Sequence, residues 1–183
     1  MDWAKLQMMW AAGDPPPLLP FWGHRAEADG SVGAGCLSQW WPSPFEVDGQ
    51  LYLTAEHWMM AGKARLFGDQ EALDRVLTSV EPRAAKAVGR QVRGFDEAEW
   101  VAHRVAIVEA GNRAKFAQHE AERAFLLGTA PAVLVEASPY DRIWGIGLAA
   151  SDPRAQDPRQ WRGRNLLGFA LMAVREALAA EAG

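Results

Sequence analysis

Three groups of polar residues stand where apolar ones belong, and each has the makings of a reactive site. In the helical pattern that follows Thr54, Glu56 and Lys63 fall within about 20° of each other on a helical wheel. Met60 and Phe67 lie within about 40° of Glu56, so the carboxylate and the amine share the stripe that should face a core. Charge on such a stripe is costly unless it is paired or used. The plainer reading is a lysine that snorkels to water and a glutamate placed in the first turn for the helix dipole. The stretch Asp96–Leu127 repeats the pattern: Val101, Val108 and Leu126 share one face, with Asn112, Lys115 and His119 within about 40° of it. Two inward lysines suit a polar cleft for an acidic or phosphorylated ligand. The third group runs from Glu136 through Asp141 and Trp144 to Gly145 and Gly147. Paired carboxylates can share general acid and base work, as when a glycosidic bond is split through an oxocarbenium-like state. Trp144 can stack on a base or ribose, or simply fill the core, and Asp141 can equally cap a turn.

Positioning these groups requires helices and a few strands. Asp48-Gly49 between Phe45–Val47 and Gln50–Leu53 is a two-residue hairpin signal. Thr54 caps a helix expected to reach Phe67, ended near Gly68. Further helices are expected over Glu71–Leu77, from Pro82 through Ala87, over Asp96–Leu127 with a break or bend at Gly111, and over Asn165–Ala180. Leu18–Trp22 and Val133–Glu136 read as short strands. The predicted fold is therefore α+β, a predominantly helical single domain with a few short strands including a β-hairpin. Pro15-Pro16-Pro17 marks residues 1–17 as a stiff N-terminal arm, with the domain over 18–183. Ala149–Gly163, rich in Asp, Pro, Gln and Arg, reads as a surface loop.

The chain has 183 residues, 49% of them hydrophobic and 23% charged, which fits a folded globular chain. The net charge of −4 argues against holding nucleic acid chiefly by electrostatics, though a local basic patch for a phosphorylated ligand is still allowed. One cysteine, Cys36, excludes an internal disulfide and a multi-cysteine metal site. His24, His57, His103 and His119 lack metal-ligand spacing, so no metal is expected. No signal peptide or membrane span is recognised, which makes a cytoplasmic location the expectation. Nine tryptophans against two tyrosines are the oddest entry in the composition, and they suit recognition of a flat ring by stacking.

Taken in order, several segments resemble a known family. They are Phe21-Trp22-Gly23-His24, Pro44-Phe45 with Asp48-Gly49, Thr54-Ala55-Glu56-His57-Trp58 to Lys63, Gly89-Arg90 and Lys115-Phe116. The set continues with Leu134-Val135-Glu136-Ala137-Ser138-Pro139, Asp141 to Gly147, and Asn165-Leu166-Leu167-Gly168. Together they look like the NADAR (YbiA-like) N-glycosidase family, from about Phe21 to the C-terminus. The resemblance implies hydrolysis of an N-glycosidic bond at ribose C1′, without a cofactor or metal. Its implied substrates are ADP-ribose on a nucleobase, notably guanine, or phosphoribosylamino-pyrimidine intermediates of riboflavin synthesis. The implied partners are a small-molecule or nucleobase-linked ribose phosphate or ADP-ribose, with ADP-ribosylated nucleic acid as a further one, and no membrane. Carried over residue by residue, the catalytic candidates are Glu56, Lys63, Lys115, Glu136 and Asp141. The substrate-binding candidates are Phe21, Trp22, Gly23, His57, Arg90, Trp144, Gly145 and Asn165. The Phe21–His24 opening and the Ile143–Gly147 form sit nearer the ADP-ribose branch. Ser38-Gln39-Trp40-Trp41 departs from the Ser-Asn pair of many members, and the Ala149–Gly163 loop is longer than in bacterial riboflavin-linked members. A carboxylate-activated water and a lysine Schiff base are both open as chemistry. So are two other classes, a non-catalytic ADP-ribose or NAD-metabolite reader and a partner-binding module built on a tryptophan-rich surface.

Overall fold

A computed structural model describes residues 1–181. The chain divides into two compact units: Met1–Ser38 with the chain from Ala121 onward, and Gln39–Glu120. The architecture is α+β and predominantly helical, with four short strands among the described residues.

In the first unit, Asp2 caps helix α1 (Trp3–Ala11) by accepting the Lys5 N–H at 2.8 Å. Strand β1 (Leu18–Phe21) pairs in parallel with β4 (Val133–Glu136), in a register that sets Phe21 opposite Glu136. β1 stops one residue short of the expected Trp22. Helix α6 (Glu120–Gly128) leads into β4, and α7 (Leu166–Ala180) packs on that strand. Leu167, Leu171, Val174 and Leu178 of α7 are all buried, as their spacing predicts. Gly33 caps a 3-10 turn over Ala34–Leu37. The Ala149–Gly163 loop also has order, holding two further 3-10 turns, Pro153–Gln156 and Pro158–Gln160.

In the second unit, Asp48 and Gly49 both take positive φ, 51° and 76°, and join β2 (Phe45–Val47) to β3 (Gln50–Tyr52). This is the left-handed pair that a tight hairpin turn needs. Helix α2 (Ala55–Leu66) is central and packs against α3 (Gln70–Thr78), α4 (Pro82–Gly89) and α5 (Glu97–Gln118). Thr54, Asp69 and Asp96 each cap a helix through the side chain, and Pro82 opens α4. The expected break at Gly111 is absent: α5 runs through it and ends at His119, before α6. Gly111 is there for space, because a Cβ would collide with the Trp58 indole. That indole donates to the Ile107 carbonyl of the same helix at 2.7 Å.

Candidate active site

The second unit places a row of polar side chains inside a helix pair. On α2, Glu56 is 2% exposed; on α5, Lys115 and Asn112 are fully buried and Arg104 nearly so. Arg104, Val108, Gly111 and Lys115 recur every three or four residues, so they form one stripe along α5. Gln39 anchors the row at one end. Its side-chain N–H donates to Asn112 Oδ1 at 3.0 Å, and Asn112 Nδ2 donates back at 3.3 Å and also to the Val108 carbonyl at 2.8 Å. The Gln39 carbonyl accepts the Glu56 N–H at 2.9 Å, so one residue fixes both helices beside the glutamate. A cluster of buried charge inside an otherwise apolar helix pair costs stability, which makes the row a candidate functional site.

Lys63, about two turns further along α2 than Glu56, is partly buried against aromatic rings. Its Nζ lies 4.0 Å from the Phe95 ring centre and 5.5 Å from that of Trp100. Burial pushes its pKa below the usual lysine value, and Glu97 pulls part of the way back. Lys115 Nζ lies 4.8 Å from the Phe116 ring centre.

His57 sits on α2 beside Glu56 but has a different role. Its Nε2 faces the Ser79 carbonyl at 3.2 Å and its Nδ1 faces Thr54 Oγ1 at 2.8 Å. A carbonyl only accepts, so Nε2 carries the proton and Nδ1 takes the Thr54 hydroxyl proton. Both ring nitrogens are engaged and the residue is 2% exposed, so the ring acts as an internal strut. Arg90, a substrate-binding candidate, is exposed at the C-terminal cap of α4.

In the first unit the candidates gather at the carboxyl ends of β1 and β4, the edge where ligands bind in parallel sheets. A cleft of about 700 Å³ there is lined by Phe21, Trp22, Gly23, His24 and Glu27, among others. Phe21 is buried, so the open aromatic plate is Trp22, 60% exposed, with its ring centre 6.3 Å from that of Tyr140. Gly23 turns the chain after β1 with φ 85°.

Asn165 is fully buried in a left-handed conformation, φ 52°, at the head of α7. Its Oδ1 accepts the Glu136 N–H at 2.9 Å and its Nδ2 donates to the Leu134 carbonyl at 2.8 Å. Asn165 therefore positions the end of β4. Gly145 is also an internal spacer, since a Cβ there would stand 2.8 Å from the Glu136 carbonyl oxygen. Asp141 Oδ1 accepts the N–H groups of Ile143 and Trp144 at 2.8 and 2.7 Å, organising the turn that carries Trp144. Trp144 is partly exposed on that turn.

Sequence reasoning left Gln39, Arg104 and Tyr140 out of the site. Arg104 had a signal, since it shares the α5 stripe with Lys115. Gln39 stood in the Ser38–Trp41 segment that departs from the family pattern, and Tyr140 inside the Glu136–Gly147 group, but neither was named singly because only tertiary contacts show their neighbours. Among the described residues no group of three or more His, Cys, Asp or Glu side chains has metal-site geometry, and no helix is long and apolar enough to cross a membrane.

The comparisons with known proteins agree on one family. The NADAR domain matches residues 20–179. An N-glycosidase of Acanthamoeba polyphaga mimivirus, R617, is 41% identical over 150 residues, 79% of this chain and 88% of that protein. N-glycosidase YbiA of Escherichia coli is 35% identical over 138 residues, 75% of this chain and 78% of that one. The NMR structure of E. coli YbiA superposes with a TM-score of 0.73 at 30% identity, covering 91% of this chain and 87% of the other. The chain belongs to the NADAR domain family and is an enzyme of the N-glycosidase class.

Proposed function

We propose that the enzyme hydrolyses the bond between ribose C1′ and a base nitrogen, and that its substrate is ADP-ribose joined to guanine. Water adds at C1′, the C1′–N bond breaks, and the base nitrogen takes up a proton, leaving ADP-ribose and the unmodified base. The observation that carries this reading is the buried row of Glu56, Asn112 and Lys115. A carboxylate held in an apolar helix pair can orient water or a ribose hydroxyl and stabilise positive charge developing on the sugar. Within the first unit, Glu136 and Asp141 near the carboxyl end of β4 and the open face of Trp22 are separate candidates for substrate contact. The Phe21–His24 opening favours the ADP-ribose substrate over the phosphoribosylamino-pyrimidine one. Replacing Glu56 by Gln keeps size and removes charge, and turnover is expected to fall about 10²–10⁴-fold. Full turnover in Glu56→Gln, measured by chromatography of released ADP-ribose, refutes the carboxylate's role.

A second chemistry is supported by Lys63, whose lowered pKa leaves more of its amine unprotonated. A neutral amine can add at C1′ of the ring-opened substrate and expel the base nitrogen, which takes up a proton, leaving a lysine Schiff base that water then hydrolyses to free the amine and ADP-ribose. Borohydride added during turnover reduces such an imine to a stable adduct. A protein mass unchanged by that treatment removes the Schiff-base route and leaves the water route standing.

A further inference from the structure

The first turn of any α-helix leaves backbone N–H groups with no partner inside the helix. At the head of α2, Thr54 Oγ1 accepts the His57 N–H at 3.4 Å, as a cap does. The Glu56 N–H leaves the helix altogether and donates to the Gln39 carbonyl at 2.9 Å. Gln39 sits in the turn before β2, so the backbone of Glu56 is gripped by a loop.

The Gln39 side chain holds that loop in place. Gln39 is 9% exposed and Asn112 fully buried, and their amides exchange two hydrogen bonds, at 3.0 and 3.3 Å. The second hydrogen of Asn112 Nδ2 goes to the Val108 carbonyl at 2.8 Å. Both donors and the acceptor of the Asn112 amide are thereby used, which fixes its orientation on α5. Below this point α2 and α5 interlock by shape. A Cβ on Gly62 would stand 2.6 Å from Ile107 Cγ2, and one on Gly111 would collide with the Trp58 indole. On α2 those contacts fall at Trp58 and Gly62, both C-terminal to Glu56. They fix the body of the helix and leave its first turn to the Gln39 strap. A carboxylate that aims a water or a hydroxyl is sensitive to such a strap, since a misplacement of about 1 Å can cost about 10²-fold in rate.

We propose that Gln39 is a positioning residue for Glu56: its amide, clasped to Asn112 of α5, holds its own carbonyl on the Glu56 N–H and so sets where the carboxylate stands. This rests on the reading of Glu56 as the catalytic carboxylate.

The test has two arms, both on the full chain. The first needs no substrate. Gln39→Leu keeps much of the side-chain volume and removes the amide. Amide hydrogen exchange followed by NMR should quicken about tenfold or more at Glu56, with Val76 on α3 unchanged. The second arm follows turnover of whichever N-glycoside the unaltered enzyme cleaves, ADP-ribosylated guanosine or a phosphoribosylamino-pyrimidine. Gln39→Leu should lower kcat about tenfold or more, with KM changed less than about twofold. In a Glu56→Gln background the same substitution should cost almost nothing, because the strap then has no carboxylate to aim. Should Gln39→Leu fail to fold, Gln39→Asn keeps the amide, shortens its reach by one carbon, and carries both arms with the same signs. Unchanged exchange at Glu56, equal quickening at Val76, unchanged kcat, or an equal loss of kcat in the Glu56→Gln background each overturns the proposal. Full turnover in Glu56→Gln alone refutes the catalytic reading and the proposal with it. An impaired Glu56→Gln beside an unimpaired Gln39→Leu refutes the positioning role alone.

Discussion

Glu56 and Lys63 stand out in the sequence because they break a local rule: charge on the apolar stripe of a helix with a period of 3.6 residues is costly unless it is paired or used. The neighbouring His57 shows where that logic stops. Its motif position suggested a ligand contact, yet its ring braces Thr54 to the Ser79 carbonyl, 22 residues away. Asn165 is the same case at longer range, tied to Glu136 at a separation of 29 residues. No periodicity encodes such partners, so the role of each residue became visible only in the fold. His57 also gives the protein a pH dependence. Burial holds its pKa below the ordinary 6.5, against smaller upward pulls from Ser79 and Glu81. The unfolded chain then binds the proton more readily, so stability is complete above about pH 6.5 and is lost as pH falls toward the folded-state value. Thermal unfolding between pH 7.5 and 5 should show a falling midpoint, and His57→Gln should flatten that slope. An equal slope in the variant assigns the acid sensitivity to other groups.

At the scale of elements, caps and turns were legible and helix continuity was not. Thr54, Pro82 and Asp48-Gly49 act locally, and each starts or turns the chain where its chemistry says it should. Gly111 misled because glycine weakens a helix in isolation, whereas α5 is held by its packing on α2. The glycine is an accommodation for Trp58, and the true break at His119 has no proline or glycine to announce it. Gly111→Ala therefore tests packing against propensity. Propensity alone predicts a gain in stability; collision with the indole predicts a loss of about 1–3 kcal/mol. Chemical denaturation should show the loss, and a more stable variant would mean that Trp58 shifts without cost. The same helix pair holds Glu56 and Lys115, so Gly111→Ala should also lower turnover.

For the molecule as a whole, composition and charge bounded the answer without choosing it. A net charge of −4 argued against broad nucleic-acid binding, and the fold and family followed from ordered motifs across most of the chain. The tryptophans divide by place. Trp22 is exposed at the cleft after β1, Trp58 is packed between the hairpin and α5, and Trp3 and Trp161 line a cavity in the first unit. Aromatic excess thus leaves some rings open to solvent and packs others into the interior, and only the fold tells which. The central claim is that this N-glycosidase frees guanine from ADP-ribose, and the most direct measurement supplies the enzyme with ADP-ribosylated guanosine and, in parallel, a phosphoribosylamino-pyrimidine, with products followed by liquid chromatography and mass spectrometry. The account predicts release of ADP-ribose and intact guanosine at a kcat/KM well above that for the pyrimidine substrate, and loss of that release in Glu56→Gln. Turnover of the pyrimidine substrate alone, with the ADP-ribosylated guanosine recovered unchanged, would contradict it.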